Sequence, residues 1–310
     1  MILLQQMIVL FLIMMVGFVC RKVGIINDEA SKCLSGIVVN VANPALILSS
    51  TINKESAIAG KELALTVVLA IAIYGILLGL AEVLPRLLRV SKTDFGVYKA
   101  MTVFSNIGFM GFPLLVAMYG SESLLYASIF LIPYNVLIYT YGVGAMQIAE
   151  DKPEKGVSKK VAWNKIFNIG VIACLVTIVL YMFKPTVPVF IEDTVTNLSN
   201  LTAPLSMLVI GDAMAKMKLR ELITGKRLLL FSAVKLIIIP VLGLSVLKLL
   251  GLPELLLGVC LVMIATPVGS MTAMLAQQQG GNYELASKGV ALTTLLSVLT
   301  MPIVSLITGI

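Results

Sequence analysis

The amino-acid sequence predicts an all-α, polytopic membrane protein of ten spans, built as two inverted halves of five. Three observations carry this. Of its 310 residues, 59% are hydrophobic and 13% charged, with a mean hydropathy of +1.02, which is more apolar surface than a water-soluble fold could bury. The apolar residues gather into runs, most near the ~20 residues that a helix rising about 1.5 Å per residue needs to cross about 30 Å of hydrocarbon. A shift of 160 residues then lays one half over the other.

Spans are expected at 1–20, 33–52, 62–84, 98–119 and 123–148 and, after a connection at 149–163, at 164–184, 194–215, 228–250, 254–278 and 283–308. The first does not read as a secretory leader, because no basic residue precedes its apolar run and Arg21 and Lys22 follow it. The second carries Asn40-Val41-Ala42-Asn43-Pro44 and the seventh Asn200-Leu201-Thr202-Ala203-Pro204, so Asn-x-x-x-Pro recurs in register under the 160-residue shift. The fourth contains Phe104-Ser105-Asn106-Ile107-Gly108-Phe109-Met110-Gly111-Phe112-Pro113, and the ninth Ile264-Ala265-Thr266-Pro267-Val268-Gly269-Ser270. Both stretches are built to break a helix: glycine loosens the backbone, proline deletes a donor, and Asn106, Thr266 and Ser270 can bond the groups released. The same shift places Asn106 on Thr266, Ile107 on Pro267 and Gly120 on Gly280. Five spans per half is an odd number, so residues 164–310 re-enter the membrane opposite to residues 1–148. Interrupted spans at matching places in inverted halves point to a transporter's substrate site and to alternating access.

Other spans carry weaker signals. In the fifth, Asn135, Tyr139 and Tyr141 follow Pro133; in the seventh, Ser206 and Met207 follow Pro204. These residues either line the site or serve helix packing. Lys235 lies eight residues beyond Arg227, roughly 12 Å into the eighth span, where a charge is expensive. It either lends positive potential to an anion pathway or is a long side chain paired or extended toward water. Glu82 and Asp212 sit near span ends beside Arg86 and Lys216 and read as ion-paired.

Lysine and arginine set the orientation. With the N-terminus outside, 18 of the 23 basic residues fall in inner loops and four in outer loops, leaving Lys235 inside a span. That bias places both termini outside, the 149–163 connection in the cytoplasm, and the protein in the cell membrane. It accounts for the net charge of +7 without a nucleic-acid partner. Trp163, near Lys159, Lys160 and Lys165, reads as an interfacial anchor.

The chain has no histidine, and its four cysteines, Cys20, Cys33, Cys174 and Cys260, share no metal-ligand spacing. No cofactor or metal site is indicated, and no constellation for intramembrane proteolysis is present, so an enzyme is not expected. No carboxylate falls near the interrupted segments. Gln277, Gln278 and unwound backbone are the available ligands for a coupling cation. The helices starting after the two breaks would aim N–H groups and about half a positive charge each at one midplane site, which suits a carboxylate.

Taken together, Asn40-x-x-x-Pro44 with Leu46, the run from Ser105 to Leu114, Ala203-Pro204-Leu205 leading to Gly211, Lys235-Leu236 before Pro240, and Ala265-Thr266-Pro267 followed by Gly280-Gly281 resemble the auxin efflux carrier family. That family includes the plant PIN carriers and bacterial permeases for malate and malonate. The resemblance runs from about residue 1 to 308, with some 15 residues standing where plant members have a long loop. It implies a crossover of broken helices four and nine, an architecture like that of bile-acid symporters and sodium–proton antiporters. It further implies a scaffold of spans 1, 2, 6 and 7, a moving body of spans 3–5 and 8–10, and a homodimer. The family's crossover asparagine matches Asn106 and its crossover proline Pro267, with Thr266 standing where members carry a second polar group.

The functional expectation is a secondary-active carrier of small organic anions, carboxylates such as malate or malonate, or an auxin-like aromatic acid. Asn106, Ile107, Gly108, Thr266, Pro267, Val268 and Ser270 would form the crossover site. Asn40, Asn43, Pro44, Pro204 and Met207 would shape the facing wall, with Asn135, Tyr139 and Lys235 contributing. The alternatives are a sodium- or proton-coupled symporter of another amphipathic solute, a channel, or a non-transporting membrane receptor. A receptor would call for a soluble output segment, whereas the sequence reads as membrane-spanning up to Ile310.

Overall fold

The computed structural model describes residues 2–52, 60–147, 169–216 and 225–310. The expected connection at 149–163, and Trp163 with its neighbouring lysines, lie outside them. The described residues form helices α1 (Ile2–Lys22), α2 (Asp28–Leu48), α3 (Gly60–Leu87), α4 (Phe95–Val103), α5 (Ile107–Tyr119) and α6 (Ser123–Met146). They continue as α7 (Ile169–Phe183), α8 (Val189–Ala215), α9 (Lys226–Leu249), α10 (Glu254–Ala265), α11 (Ser270–Gln278) and α12 (Tyr283–Thr308). Among the described residues, seven helices are long and apolar enough to cross a bilayer: α1, α2, α3, α6, α8, α9 and α12. The molecule is a multi-pass membrane protein.

Local chemistry moves several helix starts from their expected places. α2 begins at Asp28 because Asn27 Oδ1 accepts the Ala30 N–H at 2.8 Å, and Asp28 and Glu29 fill the first turn, where the helix dipole favours acids. α8 begins at Val189, directly after Pro188, and turns at Asn200–Leu201 before continuing from Thr202. α12 starts at Tyr283 as expected, and Asn282 Oδ1 there accepts the Leu285 N–H at 3.0 Å.

Proline decides the interior of several helices. Three π-helical turns each end two residues before a proline: Val38–Ala42 before Pro44, Ile107–Gly111 before Pro113, and Val234–Ile238 before Pro240. A proline ring clashes with the carbonyl four residues back and offers it no N–H; widening the preceding turn relieves both problems. The two Asn-x-x-x-Pro motifs therefore differ in outcome. Pro44 follows a π turn within α2, whereas Pro204 follows the Asn200–Leu201 turn within α8. A fourth π turn, Ile138–Gly142 in α6, has no proline after it and carries Tyr139 and Tyr141.

α1 and α8 pack backbone to backbone. A Cβ at Gly17 would overlap the main chain of Leu208, and one at Gly211 would overlap the Met14 carbonyl and the Phe18 amide. Within a bilayer such close approach replaces the hydrophobic drive that water would provide. At one end of this pair, Asp212 is 1% exposed. Its carboxylate accepts from Ser31 Oγ at 2.6 Å and faces Lys216 Nζ at 3.0 Å and Arg21 Nε at 3.6 Å. Asp28 contacts the same two cations, at 2.8 Å from Arg21 and 3.0 Å from Lys216. Burial works to lower the pKa of Lys216, but Asp212 and Asp28 outweigh it and hold the ammonium above the usual lysine value. Glu82 pairs chiefly with Lys99 of α4 at 2.6 Å, with Arg86 farther off at 3.7 Å.

The α1–α8 contact yields a direct expectation. Gly17→Leu and Gly211→Leu should each destabilise the purified protein by about 1–3 kcal/mol through overpacking. Gly79→Ala, where a Cβ meets nothing within 4 Å, should be neutral or slightly stabilising. Thermal unfolding in detergent checks all three.

Candidate substrate-binding site

The two interruptions meet. Phe104 (φ −96°, ψ 95°) leaves α4 extended, and Thr266 (φ −62°, ψ 149°) leaves α10 extended. Ser105 and Val268 form an antiparallel bridge, with the Asn106 N–H donating to the Pro267 carbonyl at 2.7 Å and the Gly269 N–H to the Phe104 carbonyl at 2.8 Å. The Val268 N–H donates to Thr293 Oγ1 of α12 at 3.1 Å. Each break thus satisfies the other's backbone where no water is available to do so. The approach is close: a Cβ on Gly269 would lie 3.0 Å from the Ser105 carbonyl oxygen.

Beside the crossing lies a cavity of about 150 Å³. Of the residues singled out in the sequence, Asn43, Asn106, Ile107, Gly108, Asn135, Tyr139 and Ser270 line it together. Thr266, Pro267 and Val268 do not reach it; they are buried in the crossing strand itself. Asn40 is exposed and returns its Nδ2 to the Gly36 carbonyl at 2.9 Å, as an asparagine one turn along a helix readily does. Pro44, Pro204 and Met207 shape α2 and α8 without lining the cavity. Lys235 is fully buried behind the crossing, held by α4 and the break. Tyr141 turns away, donating from its hydroxyl to Glu82 at 3.1 Å.

Residues that sequence reasoning passed over complete the wall: Ser105, Phe109, Phe112, Tyr134, Gly170, Gly269 and Met271, with the aliphatic Val39, Ile47 and Leu131. Ser105, Phe109 and Gly269 were legible inside the interrupted motifs. Tyr134 comes through its edge-to-face contact with Phe104, ring centroids 5.5 Å apart. A second cavity, of about 240 Å³, shares Asn106, Phe109 and Ser270 with the first and extends past Gln277 and Ser287 to Asp212 and Lys216. These three side chains stand between the two spaces.

Asn106 is the chemically unusual member. It occupies the N-cap position of α5, and its carbonyl accepts from Gly111 N–H at 3.0 Å, yet its side chain makes no capping bond. At 3% exposure, its Nδ2 has no hydrogen-bond partner among the described residues, and neither does Asn43 Oδ1 in the same cavity wall nor Thr266 Oγ1 in the crossing. Leaving a buried amide unpaired costs about 1–3 kcal/mol, so such groups in a native site call for an explanation. The first turns of α5 and α11 add N–H groups without intrahelical partners and partial positive charge. Among the described residues no cluster of three or more acidic, cysteine or histidine side chains could hold a metal.

A largely helical membrane protein with two interrupted, mutually bonded helices and, at their crossing, a mainly apolar cavity that holds a few polar groups is built to pass a solute. Residues 2–305 match the model of the family described as membrane transport protein. The chain belongs to this family, the auxin efflux carrier or PIN-like transporters. It is similar to an uncharacterized transporter of Methanocaldococcus jannaschii, 23% identical over 301 residues that cover 95% of each chain. An uncharacterized transporter of Methanothermobacter thermautotrophicus is 22% identical over 307 residues, covering 98% of this chain and 97% of that one.

The unpaired amide makes a separable prediction. Asn106→Ala removes a buried polar group that bonds nothing, so the purified protein should unfold at the same temperature as the wild type or higher, by up to about 1 kcal/mol of stability. A fall of several degrees would show that the amide holds the crossing together instead.

Proposed function

We propose that the protein is a secondary-active carrier of small organic anions, with a carboxylate held at the crossing of two broken spans. The observation that carries this reading is Asn106: a buried, unpartnered amide at the N-terminus of a half-helix, lining both cavities. An anion there gains the amide, the free N–H groups of the first turn and the favourable end of the helix dipole. A cavity of about 150 Å³ is small beside the ~300–1,000 Å³ of drug-sized ligand sites, which favours acids the size of malate or malonate over a fused-ring acid.

In this reading α4–α5 and α10–α11 each count as one span, giving ten spans in two inverted halves. The close α1–α8 pair, with α2 and α7, forms the fixed body; α3–α6 and α9–α12 move across it as an elevator, exposing Asn106 to the two cavities in turn. Both termini lie outside, and two copies associate as a dimer in the cell membrane.

Counterflow of labelled malate in proteoliposomes tests the proposal, with malonate, citrate, indole-3-acetate and a neutral amino acid as competitors. Wild type should show saturable exchange inhibited by the small acids. Asn106→Ala should lower exchange about 10- to 100-fold, the loss of one hydrogen bond to a charged group worth about 1.5–3 kcal/mol, while Asn40→Ala stays within about twofold. Absence of acid exchange by demonstrably folded protein would overturn the substrate class.

A further inference from the structure

Lys235 is not used by the cavity, yet its placement is too specific for a packing residue. The π turn Val234–Ile238 carries it inward from α9, and its side chain is 0% exposed. Its Nζ donates to the Thr102 carbonyl at 3.1 Å and to Ser105 Oγ at 2.8 Å. Thr102 lies in the last turn of α4, whose final carbonyls have no intrahelical donor and carry the negative end of the helix dipole. Ser105 is the residue that bridges Val268 and precedes Asn106. Among the described residues no carboxylate lies within ion-pair distance of Lys235. Its counter-charge is the half-helix end.

Among the described residues the arrangement has no counterpart on the other side of the crossing. The 160-residue shift places Gly75 of α3 where Lys235 stands, so that position supplies no cation at the end of α10, and among the described residues Thr266 Oγ1 there has no partner. One of the two negative half-helix ends has a cation built into the chain.

We propose that Lys235 is the resident cation of the crossing: a positioning residue whose ammonium neutralises the C-terminal end of α4, fixes Ser105 and with it Asn106, and stands where a mobile cation would otherwise be drawn in. The wild-type protein then needs no alkali cation at this end. Removing the ammonium leaves a buried, negative, butyl-sized space that a small organic cation fills and a neutral molecule of the same shape does not.

The experiment has two arms, of which only the second rests on the carrier reading above. In the first, thermal unfolding of the purified full chain is followed for wild type, Lys235→Ala, Lys235→Met and Lys235→Arg, with propylammonium or 1-propanol added. Propylammonium should raise the midpoint of the alanine variant by at least about 2 °C and leave wild type unmoved, while 1-propanol does neither. Equal stabilisation by 1-propanol would show that only volume matters and overturn the proposal. In the second arm, malate counterflow is compared in sodium and in N-methylglucamine buffers. Wild type and the arginine variant should agree between buffers within about twofold, and the methionine variant, which fills the stem of the lysine but leaves the place of its ammonium open to a sodium ion, should fall at least tenfold in N-methylglucamine. Methionine matching wild type in both stability and flux would also overturn it. Should the alanine variant fail to fold, the methionine–arginine contrast decides by the same criteria. Should wild type move no acid, the carrier reading fails and the unfolding arm still decides the role of Lys235.

Discussion

Two short extended segments that bond to one another inside a bilayer are the constraint on which the rest of the structure depends. Breaking a membrane helix exposes several N–H and C=O groups, each expensive in hydrocarbon. Here the Asn106 and Gly269 amides donate across the crossing to Pro267 and Phe104, so neither break is affordable without the other. Thr293 of α12 and Lys235 of α9 each add a further bond to the backbone around the breaks. The site is therefore a joint product of α4, α5, α9, α10, α11 and α12.

The prolines explain how the chain tolerates so many irregularities. Three of them sit two residues after a π turn, which turns a clash into a local widening and points an altered set of side chains inward. Lys235 owes its inward position to one such turn, and the start of α5 is another. Proline here acts less as a helix terminator than as the reason the preceding turn is irregular.

Electrostatically the molecule keeps two kinds of charge apart. Several acids at helix ends are held by cations in pairs and triads, as Asp212 is by Lys216 and Arg21. Among the described residues the crossing has no acid; half-helix ends, amides and one lysine stand there.

The membrane class and the interruptions at Asn106 and Pro267 were legible in the sequence, because hydropathy, glycine and proline act locally and survive without knowledge of neighbours. The same holds for Asn43, Ser270 and the signals at Asn135 and Tyr139, which lie near proline or within a break. What the sequence could not decide was direction. Asn40 and Asn43 belong to one motif, yet the helix turns Asn40 outward and Asn43 to the cavity, and Thr266 is spent in the crossing strand while its counterpart Asn106 faces open space. Lys235 read as a pathway charge or as a side chain paired for packing or reaching toward water; its two acceptors on α4 and the break lie 133 and 130 residues away in the chain. Composition and periodicity fix which segments enter the membrane and where they break, since those depend on each segment's own transfer energy. Which side chains end up unpaired around a common space depends on how separate helices rotate and pack, and only the tertiary structure decided that.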